Sequence, residues 1–302
     1  MTTQKTYDVI IIGGSYAGLS AAMALGRALK NVLIIDSANP CNKQTPHSHN
    51  FITHDGETPA AISKKAKEQV LKYNTVTFIG DKAMKANKTD SGFNIETELG
   101  NIFSAKKILF ASGVEDIMPE SDGFKECWGI SAIHCPYCHG YEVKHLETGI
   151  LLNGDLAFEV AKLISNWTNH LTIFTNGAST ISKELSEKLI SKQIKINEKE
   201  ITQFEHNDGY ISNIVFTDNS KQSLKAIYTR PLFKQHCEIA EQLGCELTEM
   251  GHLKIDQFQK TTVTDVFAAG DCTTPMRTVS KAVSDGTMAG VVISKELIEE
   301  DF

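Results

Sequence analysis

The chain has 302 residues, of which 41% are hydrophobic and 22% charged, proportions typical of a globular protein with two domains of ordinary size. Its net charge is −7 with lysines dispersed among acidic residues, which argues against a nucleic-acid partner, and no apolar run approaches the roughly 20 residues of a membrane-spanning helix. The seven cysteines are an odd number with one close pair, which favours a reducing, cytoplasmic compartment over a disulfide framework.

The first third of the chain predicts a strand-helix-strand unit. An apolar run at residues 7–12 predicts a strand, because it is too short before the glycines to be a signal-peptide core. Residues 17–29 carry helical spacing, and residues 32–35 predict a second buried strand that ends at Asp36. Short strands are then expected at 76–79, 93–97, 102–105 and 107–111, and the last of them leads into Ser112 and Gly113.

The pattern restarts near residue 115 and predicts a second domain. Strands at 149–152 and 171–174 flank a helix at 156–167, followed by a helix at 182–192 and a hairpin around Asp208-Gly209. After Gly244 the chain returns to a buried strand at 266–269 and a closing helix at 278–299. The predicted fold class is α/β with two Rossmann-like three-layer nucleotide-binding domains, the second (residues 116–242) inserted in the first (residues 1–115 and 243–302).

The segment Gly13-Gly14-Ser15-Tyr16-Ala17-Gly18 lies between a predicted strand and a predicted helix, which is the context of a dinucleotide-binding turn. In such a turn the first glycine allows the bend, the middle one admits a pyrophosphate and the last lets the helix pack on the strand; here Ser15 takes the middle place. Asp36 supplies the carboxylate expected to bind a ribose. Asp271, which follows the buried 266–269 strand and Gly270, is expected at a helix N-terminus beside a flavin phosphate, with a plain N-cap as the alternative.

The segment HCPYCHGYE contains the close cysteine pair, Cys135 and Cys138, and allows four interpretations. A zinc site with His134 and His139 requires adjacent residues to reach one tetrahedral ion, so no metal is expected. A c-type haem attachment requires export, and no export signal is recognised. Two buried reduced cysteines are the third interpretation. We favour the fourth, a redox dithiol, in which a thiolate of lowered pKa attacks a disulfide, its partner resolves the mixed species, and His139 moves protons.

In this order, the Gly-rich turn, Asp36, CPYCHG and the segment FAAGD resemble the low-molecular-weight thioredoxin reductases, class II pyridine nucleotide-disulfide oxidoreductases, over nearly the whole chain. The resemblance implies FAD in the discontinuous domain, a redox-active disulfide in the inserted one, domain rotation and a homodimer. His139 stands where that family normally has an acidic proton donor, as in the CPYCHG branch that includes flavin-dependent oxidases of small dithiols. The positions so implied are Cys135, Cys138 and His139 for catalysis, and Gly13, Gly14, Ser15, Ala17, Gly18, Asp36, Gly113, Gly270, Asp271, Thr278 and Val279 for the cofactor.

Two departures from that family concern the nicotinamide cofactor. Leu152 stands where the second Gly-rich turn of NADPH-using members has its tight-turn glycine, and Phe174-Thr175-Asn176-Gly177 stands where they carry an arginine cluster. Use of NADPH or NADH is therefore left open, and ferredoxin or oxygen are the other electron partners that the resemblance offers. The expected partner is a thioredoxin-like protein or a small-molecule dithiol or disulfide, and a flavin redox sensor without turnover is the non-enzymatic alternative.

Overall fold

The computed structural model describes residues 6–302. Its strands, in chain order, are β1 (Thr6–Ile12), β2 (Val32–Asp36), β3 (Val76–Gly80), β4 (Ala83–Thr89), β5 (Gly92–Thr97), β6 (Ile102–Phe110), β7 (Val114–Asp116), β8 (Ala132–Ile133), β9 (Thr148–Leu151), β10 (Leu171–Phe174), β11 (Lys195–Asn197), β12 (Ile201–Asn207), β13 (Tyr210–Phe216), β14 (Lys221–Ser223), β15 (Ala226–Thr229), β16 (Phe233–Gln235) and β17 (Val266–Ala268). Its helices are α1 (Tyr16–Arg27), α2 (Pro59–Val70), α3 (Phe124–Cys127), α4 (Pro136–His139), α5 (Asp155–Ile164), α6 (Lys183–Ser191), α7 (Ile239–Gln242) and α8 (Val279–Asp301).

The first sheet has a buried parallel part and an antiparallel extension. Its order is β3-β2-β1-β6-β5-β4, and β17 also pairs with β6. At the carboxyl end of β1, Ile12 is in register with Ile35 of β2 and with Phe110 of β6. The loops that follow these three strands therefore meet at one edge of the sheet, where open α/β sheets bind their ligands.

The strands predicted at 102–105 and 107–111 are one strand, β6. Its first half pairs with β5, where Phe93 faces Ala105, and its second half pairs with β17, where Val266 faces Ile108. The lysines at 106 and 107 interrupt the apolar pattern of this strand. Lys107 is nevertheless buried, and its ammonium is paired with carboxylates.

Helices α1 and α8 pack unusually closely because glycines face the neighbouring backbone. A Cβ atom on Gly286 would lie 2.0 Å from the Ala17 carbonyl oxygen, and one on Gly290 would lie 2.6 Å from that of Ala21. Neither contact is compatible with a side chain. This packing fixes α8 against the first turns of α1.

The second sheet, β11-β10-β9-β15-β8, is parallel throughout. At its carboxyl edge Leu151 of β9 is in register with Phe174 and Thr229. Helices α5 and α6 contribute buried residues such as Ala161 and Leu189 to its core. A separate antiparallel sheet, β12-β13-β14, completes this part of the molecule.

The chain divides into two compact units. The first contains the described residues up to Lys43, Ala60–Glu115 and Phe233–Phe302, and the second contains Gln44–Pro59 and Asp116–Leu232. Residues 233–242 group with the first unit, in whose core Ile239 and Ala240 are buried. The predicted fold class, α/β with two Rossmann-like units of which one is inserted, is confirmed. Within residues 6–302, no helix combines the length and the apolar character needed to cross a bilayer.

Candidate functional site

The Gly-rich turn between β1 and α1 requires glycine at its first and last positions. Gly13 has φ +107°, and a Cβ atom on it would lie 2.3 Å from the Ala111 carbonyl oxygen. A Cβ atom on Gly18 would lie 1.9 Å from the Gly13 carbonyl oxygen. The bend and the helix-strand contact expected from the sequence are therefore both present.

Asp36 holds this turn from the end of β2. Its Oδ1 accepts a hydrogen bond from the backbone N–H of Gly14, at 3.0 Å. A Cβ atom on Gly14 would lie 2.6 Å from the Phe78 ring and 2.9 Å from Asp36 Cβ. A side chain at this position would therefore clash with both residues. A carboxylate offers about four acceptor sites, and Asp36 retains capacity for a ribose hydroxyl.

The residues around the turn fit the pyrophosphate of a dinucleotide such as FAD. Ser15 is the N-cap of α1, yet its side chain forms no capping hydrogen bond, and the first turn of α1 carries no acidic residue. The Ser112 Oγ is buried without a hydrogen-bond partner among the described residues. Next to it Gly113 has φ +66°, with open space where a side chain would point. A phosphate at the positive N-terminal end of α1 would be stabilised by the helix dipole and by the Ser112 hydroxyl.

Among the positions predicted to bind the cofactor near the C-terminus, Gly270 lies against the start of α1. A Cβ atom on Gly270 would lie 2.9 Å from Ala17 Cβ. The expectation that Asp271 lies at a helix N-terminus is wrong. Asp271 lies in a turn closed by the bond from Thr273 N–H to the Gly270 carbonyl, and α8 begins only at Val279.

The N-cap of α8 is Thr278, whose hydroxyl accepts a hydrogen bond from Lys281 N–H at 3.2 Å. Val279 is the first residue of the helix. The Asp271 carboxylate lies 3.6 Å from Arg277 Nε, which neutralises its charge near the turn.

In the second unit, Cys135 and Cys138 form a disulfide with a Cα–Cα distance of 5.3 Å. Cys135 is the extended N-cap of the one-turn helix α4, and Pro136 begins that helix. The Cys135 carbonyl accepts hydrogen bonds from the N–H groups of Cys138 and His139, at 3.3 and 3.2 Å. The local fold thus places both sulfurs and the His139 side chain on one helical turn.

His139 is the last residue of α4 and is partly buried. Burial lowers the pKa of His139 below its ordinary value, the Glu142 carboxylate opposes this effect, and His49 adds to the lowering. Near neutral pH the imidazole is therefore neutral and able to accept a proton from a thiol.

Aromatic side chains surround α4. The Tyr137 ring is 64% exposed and packs edge-on against Trp167, with ring centroids 5.5 Å apart. A Cβ atom on Gly140 would lie 2.9 Å from the Trp167 indole nitrogen, and the His134 ring lies 5.8 Å from that of Trp128. Trp167 therefore packs against both Tyr137 of α4 and Gly140 directly after it.

The other cysteines differ from this pair. Burial raises the pKa of Cys127 to about 11 and that of Cys272 to about 12, and it also raises the pKa of Cys237 and Cys245. Buried thiols of high pKa are poor nucleophiles. Cys41 is exposed.

The turn before α5, which matches the nicotinamide turn of related folds, is closed by the chain's own side chains. The Asn153 Oδ1 accepts hydrogen bonds from the N–H groups of Gly154 and Thr180, both at 2.8 Å. Asp155, in the first turn of α5, accepts one from Ser182 N–H at 2.9 Å. The Gly154 N–H in this turn is thus occupied, and the Asp155 carboxylate stands at the start of α5, where the negative charge of a pyrophosphate would lie.

The position of the absent arginine cluster, after β10, also carries a negative charge. The Glu198 Oε1 accepts a hydrogen bond from Ser179 N–H at 3.1 Å, and the Gly177 N–H is bound by the Glu198 carbonyl. A 2′-phosphate would meet a carboxylate here.

Sequence reasoning missed His49 and Glu142, which lie in the same unit as the disulfide. His49 belongs to the segment Gln44–Pro59, called here the 44–59 segment, which groups with the second unit although it follows β2 of the first. The signal that could have found it is the concentration of histidines at 47, 49 and 54 in one loop.

Comparisons with known proteins agree with this geometry. The family model described as pyridine nucleotide-disulphide oxidoreductase matches residues 7–286. The thioredoxin reductase sirT of Leptosphaeria maculans is 31% identical, over 99% of this chain and 97% of the relative.

Two solved structures are similar to this chain over nearly its full length. The putative thioredoxin reductase TrxB from Bacillus anthracis superposes with a TM-score of 0.93 at 31% identity, over 98% of this chain and 100% of that one. An oxidoreductase from Agrobacterium tumefaciens superposes with a TM-score of 0.91 at 33% identity, over 98% and 99%.

Proposed function

Because the chain belongs to the pyridine nucleotide-disulphide oxidoreductase family, we propose that it relays two electrons between FAD and an external dithiol or disulfide through Cys135 and Cys138. It is a thioredoxin reductase-like disulfide oxidoreductase, an enzyme of a flavoprotein family that uses FAD. The observation that carries the proposal is the Cys135–Cys138 disulfide at the start of α4, with a neutral histidine one residue beyond it.

The exchange needs no groups beyond those of this turn. In the oxidising direction a thiolate of the substrate attacks one sulfur of the pair, an S–Sγ bond forms, the Sγ–Sγ bond breaks, and the second cysteine leaves as a thiolate. The other substrate thiolate then attacks the substrate sulfur of the mixed disulfide, and the first cysteine leaves. The substrate loses two electrons and two protons and the pair gains them. His139 takes protons from attacking thiols and returns them to leaving thiolates.

The first unit supplies the cofactor site in this proposal. FAD, when bound, supplies a two-electron donor or acceptor for the cysteine pair. The N-terminus of α1 and the Ser112 hydroxyl would hold its pyrophosphate, the side-chain-free backbone at Gly13, Gly14 and Gly113 would leave room for it, and Asp36 would bind a ribose.

A second candidate, oxidation of a small dithiol with oxygen as the final acceptor, is favoured by the closed turn before α5. Ordinary use of NADPH requires free N–H donors and a cation for the 2′-phosphate, whereas Asn153, Asp155 and Glu198 occupy these places. A reductase fed by ferredoxin would satisfy the same constraint. The homodimer, the cytoplasmic location and the choice between a thioredoxin-like protein and a small dithiol stay predictions.

The relay is tested by Cys138→Ser, which we expect to abolish turnover with dithiothreitol while the purified protein keeps its FAD. Cys127→Ala is the matched control, because Cys127 is a buried thiol of high pKa in the same unit, and this variant should keep full turnover. Turnover in Cys138→Ser equal to that of the wild type would refute the relay.

The direction of electron flow is tested by anaerobic mixing of the oxidised protein with NADPH, NADH or dithiothreitol while the flavin absorbance is followed. We expect rapid bleaching by dithiothreitol and slow or absent bleaching by either nicotinamide. Rapid bleaching by NADPH would show that the turn before α5 opens for the nucleotide. Bleaching by none of the three would favour a flavin sensor.

A further inference from the structure

Two exposed tyrosines belong to the turn that carries the redox pair. Tyr137 lies between the two cysteines and is 64% exposed, and Tyr141, four residues later, is 70% exposed. Gly140 has helical backbone angles, φ −66° and ψ −29°, and its N–H donates to the Pro136 carbonyl at 2.7 Å. Side chains four residues apart on a helical turn have Cβ atoms about 5–6 Å apart. Both tyrosines therefore leave the turn on the same face.

The protein holds each of the two rings by one contact. The Tyr137 ring packs edge-on against Trp167, with centroids 5.5 Å apart and ring planes at 87°. The Lys144 ammonium lies over the Tyr141 ring, 3.2 Å from its centroid, in a cation–π contact. The Trp167 backbone is fixed in turn, because its carbonyl accepts a hydrogen bond from His145 N–H at 2.9 Å. Each tyrosine thus has a defined orientation while most of its surface stays in contact with solvent.

The reacting sulfurs lie within reach of this aromatic surface. Cys135 and Cys138 are half-buried, so a substrate thiolate can approach them. Consecutive Cα atoms are about 3.8 Å apart, and a tyrosine ring extends farther than this from its own Cα atom. A molecule bonded to the Cys138 sulfur can therefore contact the Tyr137 ring.

The size of the surface favours a small molecule. A fully buried tyrosine hides about 150–250 Å², so the exposed parts of Tyr137 and Tyr141 together offer roughly 200–350 Å². A stable protein interface buries about 800 Å² on each partner, which is more than twice this area. Aromatic rings also attract one another by edge-to-face and offset contacts, beyond the effect of the area they bury. The surface is therefore suited to one small ligand with an aromatic ring.

We propose that Tyr137 and Tyr141 select small dithiols whose two thiols are carried by an aromatic ring, because they contact that ring while the thiols react. This inference rests on the proposed redox function of Cys135 and Cys138, whose exchange steps it leaves unchanged. The tyrosines bind the scaffold of the substrate and transfer neither electrons nor protons. They are specificity-determining residues.

The test compares two dithiols that differ in aromaticity, ortho-xylylene dithiol and its saturated cyclohexane analogue. It measures, with FAD-loaded protein under anaerobic conditions, the concentration of each dithiol at which the rate of flavin bleaching is half its maximum. In the wild type we expect this concentration to be about threefold to tenfold lower for the aromatic dithiol, the size of effect that one aromatic contact gives.

The variants Tyr137→Leu and Tyr141→Leu keep an apolar side chain without a ring, and each should reduce this preference. Tyr137→Phe keeps the ring and should keep the preference. Tyr210→Leu is the matched control, because Tyr210 is 58% exposed in the same unit but lies on β13. The preference is a ratio measured within one protein, so partial loss of FAD or of folded protein does not alter it.

The outcomes separate this selectivity from the function on which it rests. If neither dithiothreitol nor ortho-xylylene dithiol bleaches the wild-type flavin, both the proposed function and the selectivity are refuted. If the wild type is bleached but shows no preference for the aromatic dithiol, or if both leucine variants keep the preference, only the selectivity is refuted. Bleaching by reduced thioredoxin at a lower concentration than by either ring dithiol would indicate a protein partner and would also overturn the inference.

Discussion

Replacement of Lys107 by Met should destabilise the first unit strongly. The Lys107 side chain is 2% exposed, and its Nζ lies 2.5 Å from both Asp265 and Glu300 and 3.1 Å from Glu296. Burial alone would lower the pKa of Lys107, but hydrogen bonds to the three carboxylates outweigh it and raise the pKa. The ammonium thus fixes β6, the residue before β17 and the end of α8 to one another.

The expected loss can be estimated from what remains after the substitution. Removal of one partner from a buried ion pair costs about 3–5 kcal/mol. The three carboxylates are partly exposed and can hydrate, so the lower end, about 3 kcal/mol, is the better value here. For a large chain this corresponds to a fall of roughly 6–12 °C in the melting temperature.

The assay is thermal unfolding at fixed FAD concentration, since a ligand that binds the folded state raises its stability by mass action. Lys106→Met is the matched control, because Lys106 lies on the surface and pairs with Asp301 at 3.0 Å, which is worth at most about 1 kcal/mol. Equal melting temperatures for the two variants would refute the reasoning.

The deficit of Lys107→Met should also depend on pH. The three carboxylates around position 107 have oxygens within 4.8 Å of one another, and without the ammonium their mutual repulsion in the folded state is relieved when one of them binds a proton. The folded state of the variant then binds more protons than the unfolded state between about pH 7 and pH 5. The stability of the variant therefore falls as the pH rises through this range and recovers on acidification. A deficit that does not shrink between pH 7 and pH 5 would contradict this account.

Three further substitutions test the nucleotide site and the core. Asp36→Ala should weaken FAD binding roughly tenfold to a hundredfold, because a hydrogen bond to a charged group is worth about 1.5–3 kcal/mol; a fluorescence titration of apoprotein checks it, with Asp36→Asn as the conservative variant. Gly286→Ala should cost about 1–3 kcal/mol in urea unfolding, whereas the exposed Thr287→Ala on the same helix should cost little; equal losses would contradict the close approach of α8 to α1. Tyr228→Phe should leave stability unchanged or higher, since the buried hydroxyl has no hydrogen-bond partner among the described residues; a loss above about 1 kcal/mol would reveal one.

The sequence predicts best those parts whose signal is local. The strand-helix-strand unit at the start is readable because its buried strands are continuous apolar runs and its turn needs glycine at Gly13 and Gly18. Helix α2 and strand β4 were not predicted, because lysines interrupt both and β4 buries only small residues, Ala83 and Ala86. The break expected at residue 106, between the strands predicted at 102–105 and 107–111, is wrong, because β6 continues through both lysines. The carboxylates that pair with the buried Lys107 lie at residues 265, 296 and 300, far away in sequence.

The candidate site shows the same limit. Cys135, Cys138 and His139 are adjacent in sequence, so their chemistry can be read from one short motif. The contribution of His49 depends on a loop that follows β2 of the first unit and groups with the second. The local sequence does not indicate which unit a loop packs against, because that packing depends on buried contacts with residues far away in the chain.

Helix α1, which follows β1 in the first unit, and helix α5, which follows β9 in the second, differ in the charges and donors at their N-termini although each connects two parallel strands of its sheet. The start of α1 has no acidic residue and an N-cap serine whose side chain forms no capping bond, so its positive end is available to an anion. The start of α5 has Asp155 in its first turn, and Asn153 holds the Gly154 N–H. One fold unit can thus bind a dinucleotide while its counterpart is closed by a few side-chain hydrogen bonds, each worth about 0.5–1.5 kcal/mol. A nucleotide that entered the second turn would have to break several of these bonds and meet a carboxylate, and we therefore expect electron flow in this enzyme to begin or end at thiols.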